Sequence, residues 1–108
     1  MSRLGRQDGD PLVVDLSERR IRSSSELWDA LSEPCGLPDW FGRNLDAWWD
    51  TIDTGAISDV IDAHPRLIVR LSPVGMFQAG DPQGEAFVEV TTQSDYAMVE
   101  FADDLAAG

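Results

Sequence analysis

The sequence contains no lysine, and only one cysteine, one histidine and one tyrosine in 108 residues. All eight cationic side chains are arginine, set against 20 Asp and Glu, for a formal net charge of -12. So acidic a chain is a poor partner for nucleic acid or an anionic membrane surface, and a basic protein is its natural complement. The lone Cys35 excludes an internal disulfide, and without a Cys–His cluster the usual zinc signature is missing. No apolar run approaches the roughly 18 residues of a membrane span. The first ten residues lack the apolar stretch of a secretory signal. Neither a phosphate-binding glycine loop nor a dinucleotide fingerprint occurs. These absences set the expectation of a soluble, cytoplasmic, monomeric protein with no metal and no cofactor. Arginine without lysine, with abundant Ala, Gly and Asp, hints at a GC-rich bacterial source.

What is present suffices for one compact domain. Apolar residues make up 43% of the chain, with four Trp and four Phe, so a core can form and wholesale disorder is excluded. Residues 1–10 are polar and Gly-containing and are expected to fray, leaving 11–108 as a single domain. The charge is uneven: residues 81–108 carry seven acids and no base. Most of these acids read as a solvated surface that aids solubility.

Local patterns place the elements. Leu12–Leu16 is a short apolar run that reads as a strand. Ser23 and Glu26 have capping-box spacing, and Leu27, Ala30 and Leu31 then repeat at helical intervals until Pro34 and Gly36. Residues 36–43 form a loop with two exposed-looking aromatics, Trp40 and Phe41. Asn44 caps a second helix over 45–53, closed by Gly55. Residues 57–63 suit one helical turn, and Leu67–Leu71 reads as a strand. Gly80-Asp81-Pro82 marks a turn. Residues 86–92 fit a short helix or a strand, and 97–101 a strand or part of a C-terminal helix.

The second helix is the informative one. Leu45, Trp48 and Ile52 share a stripe at 3.6 residues per turn, which is a core face. Asp46, Trp49, Asp50 and Asp53 form a second, outward stripe. Within the helix no Arg stands three or four residues from any of these acids. Asp46 complements the helix dipole, but Asp50 has no such compensation, and like charges four apart cost about 0.2–0.5 kcal/mol. An uncompensated acid beside an outward Trp suits a contact surface, since Trp often carries binding energy. A solvent face with a half-covered Trp fits the helix alone equally well.

Catalytic readings are weaker. Paired carboxylates can act as general acid and base, yet one helix face on a small domain offers no cleft. His64, beside Pro65, has no evident catalytic partner. Cys35, between Pro34 and Gly36, reads as an inert thiol. Asp46, Asp50 and Asp53 lack the glycine turn of a calcium loop. The chain is therefore expected not to be an enzyme.

The stretch from Ile21 to Gly55 resembles the barstar family of intracellular ribonuclease inhibitors. Leu37-Pro38, the aromatic pair Trp40-Phe41, Gly42, Asn44-Leu45-Asp46-Ala47 and Trp49-Asp50 carry the resemblance. It implies an α/β fold, with a small three-stranded parallel sheet packed with helices. It also implies that the loop and second helix plug the active site of a small secreted guanyl-specific ribonuclease in a one-to-one complex. By matching position, Asp50 would enter the enzyme's phosphate pocket and Asp46 would pair with basic residues beside it. Trp40 would stand where the family has a contact Tyr. Asn44 and Trp49 match further contact positions, and Gly42, Asp53, Gly55, Val90 and Gln93 complete the implied interface. Arg43 replaces an acid of the best-known member, one extra residue lies between Asp50 and Gly55, and Ala56 replaces an aromatic. The alternative is an immunity or regulatory protein that turns the same acidic face on another basic toxin or protein.

Overall fold

The computed structural model describes residues 10–102. The expected fraying of 1–10 therefore lies, apart from Asp10, outside the described residues. Three strands, β1 (Leu12–Asp15), β2 (Leu67–Leu71) and β3 (Ala97–Phe101), form a parallel sheet in the order β1-β2-β3. Leu67 aligns with Leu12 on one side and Ala97 on the other. Along β2, Leu67, Val69 and Leu71 are buried while Ile68 and Arg70 are half-buried, the period-two signature of a strand with one core face. On the other face Arg70 sits between Asp15 and Glu100, at 3.4 and 3.5 Å.

Helix α1 (Ser24–Ser32) starts as the capping pattern predicts, with Ser23 Oγ accepting from the Glu26 amide at 3.2 Å. The reciprocal bond is displaced by one residue: Glu26 Oε1 accepts from the Arg22 amide at 2.7 Å rather than from that of Ser23. Helix α2 (Leu45–Trp49) runs into a π turn (Asp50–Thr54), followed by α3 (Asp59–Asp62) and α4 (Pro82–Gln93). Buried side chains of α1, α2 and α4 join those of the strands in one core that includes Trp28, Trp48, Phe41 and Phe87.

Three expectations need correction. Residues 80–82 do not merely turn: Asp81 Oδ1 accepts from the amides of Gln83 (2.9 Å) and Gly84 (3.4 Å), and Pro82 takes the first helical position, so α4 begins at Pro82 rather than Ala86. Its β-branched Val88 and Val90 stay helical because Phe87 and Thr91 on the same helix are buried against α2. Gly84 lets α4 lie against the turn at 75–77, since a Cβ there would stand 1.9 Å from the Met76 carbonyl oxygen. Secondly, Phe41 is not exposed; it is 7% accessible and packs edge-on against Trp28, with ring centroids 5.5 Å apart. The third correction concerns the second helix.

Candidate partner-binding face

The expected helix over 45–53 is regular only to Trp49. Beyond it the Gly55 amide donates to the Asp50 carbonyl, five residues back, at 2.9 Å. One residue inserted into an α-helix is accommodated by a π turn of this kind, and the resemblance implied one extra residue between Asp50 and Gly55. Gly55 (φ 85) ends the turn in a conformation that costs glycine little.

The start of α2 is fixed by Asn44. Its Oδ1 accepts from the Ala47 amide at 2.8 Å, and its Nδ2 donates to the Gly42 carbonyl at 3.2 Å. Gly42 is exposed, and a Cβ there would stand 3.2 Å from the Ala47 Cβ. The inner stripe then anchors the helix. Trp48 is fully buried, stacks on Phe87 at 5.6 Å, and donates its indole N–H to Thr91 Oγ1 at 2.9 Å. The Thr91 hydroxyl in turn donates to the Phe87 carbonyl at 2.7 Å, so both polar groups are satisfied in the seam between α2 and α4.

The outer stripe is the counterpart. Asp46 and Asp50 are exposed, and neither forms an ion pair with an arginine among the described residues. Trp49 between them is half-buried. In the adjoining loop Trp40 is 70% exposed, the most open large apolar side chain among the described residues. Asp53, in the π turn, is half-buried, and its Oδ1 accepts from Ser94 Oγ, just past α4, at 3.4 Å. On α4, Val90 is half-buried against the core and Gln93 is exposed at the last helical position. Gly55 is buried.

Arg43, the reversed charge of the loop, is held on α1. Its Nη2 lies 3.0 Å from Asp29 Oδ1 and donates to the Ser25 carbonyl at 3.0 Å. Sequence reading missed this anchor. Ser25 and Asp29 are four apart on α1, but nothing local links them to a loop residue 14 positions beyond Asp29.

A family model described as Barstar (barnase inhibitor) matches residues 12–103. The chain belongs to the barstar family. The fold agrees with that membership: three parallel strands with helices packed on them in one domain. The match runs beyond the Ile21–Gly55 resemblance into α4 and β3, where the sequence pattern left helix and strand open. The description names the family as one of ribonuclease inhibitors. His64 and Cys35 have structural surroundings. His64 Nδ1 lies 2.9 Å from the Val60 carbonyl oxygen, and burial pushes the Cys35 thiol up to about 12. No described helix is long and apolar enough to cross a membrane.

Proposed function

We propose that this barstar-family chain inhibits a small, secreted, guanyl-specific microbial ribonuclease, binding it one-to-one in the cytoplasm as a monomer. Asp50, Asp46, Trp49, Asn44 and Gly42, with Trp40 from the loop, form the central contact. Gly55, Asp53, Val90 and Gln93 lie at its margin. The observation that carries this reading is the exposure of Asp46 and Asp50, without arginine partners among the described residues, on a helix whose opposite side is locked by buried Trp48. A ribonuclease site holds phosphate with cationic side chains. A carboxylate carried on a rigid backbone offers those cations the same charge-assisted hydrogen bonds, with little ordering cost on binding. The exposed Trp40 supplies a flat apolar surface beside the charges.

The test is a titration of guanyl-specific ribonuclease activity with this protein at low and high salt. Activity should fall to zero at one equivalent in low salt, with weaker inhibition in high salt. Lack of inhibition across a panel of small microbial ribonucleases would transfer the acidic face to the alternative role, immunity against another basic toxin. Arg43 and Ala56 favour a target other than the ribonuclease that the best-known family member blocks.

A further inference from the structure

Arg43 stands three residues ahead of Asp46, and the two line the same groove between α1, α2 and the start of α4. A free guanidinium at that rim would have the Asp46 carboxylate as an available acceptor, and would cancel part of the negative face. It is not free. Arg43 takes up φ 54, and its Nη2 meets Asp29 Oδ1 at 3.0 Å, the Ser25 carbonyl at 3.0 Å and Ser25 Oγ at 3.3 Å. Ser25 and Asp29, four apart, lie on one face of α1 and act as a holder. The pair is too exposed to matter much for folding, with 43% of the Arg43 and 70% of the Asp29 side chain accessible. Its effect is on where a positive charge sits.

We propose that Asp29 is a positioning residue for the acidic face. By holding Arg43 on α1 it keeps the guanidinium off Asp46, so that a basic partner meets the face unneutralised. The consequence for binding rests on the inhibitor reading above, whereas the placement of the charge does not. Two measurements separate them. In the free protein, the Arg43 side-chain Nε–H NMR resonance should be insensitive to Asp46→Asn while Asp29 is present. It should move on Asp46→Asn once Asp29→Asn has been introduced.

For binding, the probe in a stopped-flow cycle is the tightest binder in the panel of small microbial ribonucleases, with barnase, named in the family description, as one of its members. Asp29→Asn should slow association about threefold in the Arg43 background and much less after Arg43→Gln. The plain loss of one negative charge is common to both backgrounds, so only the difference between them counts. Equal slowing in both, or a resonance blind to Asp46→Asn after Asp29→Asn, would overturn the proposal. If the resonance moves as expected while no ribonuclease of the panel binds the unaltered protein, the positioning role stands and the inhibitor reading falls.

Discussion

Trp48 and Trp49 are neighbours in sequence and belong to different regions of the molecule. The inner side of α2 is dry, with Trp48 stacked on Phe87 and hydrogen-bonded to Thr91. The outer side carries Asp46 and Asp50 in water. The five-residue helix and the π turn that continues it thus hold a stability face and a charge face back to back. So short a helix has little stability of its own, and packing must hold it. The rigidity that makes the outer carboxylates useful is therefore supplied by the inner indole.

Substitutions can break this division. The largest effect belongs to Trp48→Ala, which empties the seam and should cost about 3–5 kcal/mol of folding stability, read from the urea midpoint. A midpoint that stays put would mean that the helix is held by something else. Next comes Asp50→Ala, expected to weaken ribonuclease binding by more than about 2 kcal/mol while leaving the urea midpoint within about 0.5 kcal/mol. Equal losses in both assays would erase the distinction between the two faces. Thr91→Val keeps the seam's volume but strands the Trp48 indole N–H. It should cost about 1–3 kcal/mol of stability with no change in binding measured on the folded fraction.

Cys35 tests the same core without touching the acidic face. Its ordinary value is 9.0 and burial raises it to about 12. Below pH 9.0 both the folded and unfolded thiols keep the proton, so the group leaves stability unaltered. As pH rises towards 12 the unfolded thiol ionises first, and stability falls. One unit above the ordinary value the loss is about 1.4 kcal/mol. Urea midpoints taken across this window should decline more steeply for the unaltered protein than for Cys35→Ala. Parallel declines would show that the thiol is not desolvated.

Much of the fold could be read from the sequence because it is written in local patterns. The Ser23 and Asn44 caps, the Leu67–Leu71 strand and the inner stripe of Leu45, Trp48 and Ile52 each depend on residues only a few positions apart. The resemblance through Leu37–Asp50 added the parallel three-stranded sheet and the expected contact residues. Reading failed where a side chain's environment depends on a distant element. Phe41 looks like its neighbour Trp40 until Trp28 is brought against it. Residues 86–92 carry strand-like valines, yet the seam with α2 keeps them helical. Asp81-Pro82 was legible as a turn, though the same two residues are also a helix start.

The sequence by itself determined that α2 has one apolar and one acidic stripe, because the period of an α-helix converts spacing directly into direction. It also determined the excess of negative charge and the lack of any lysine to offset it. Only the tertiary structure decided which charges stay available. It widened the helix at Asp50 and brought Asp53 to Ser94, and it placed Asp29 where it holds Arg43 on α1. The physical reason is range. Periodicity fixes which side of an element a residue occupies, whereas the partner of an ionised side chain depends on how separate elements pack and on which opposite charge that packing brings near.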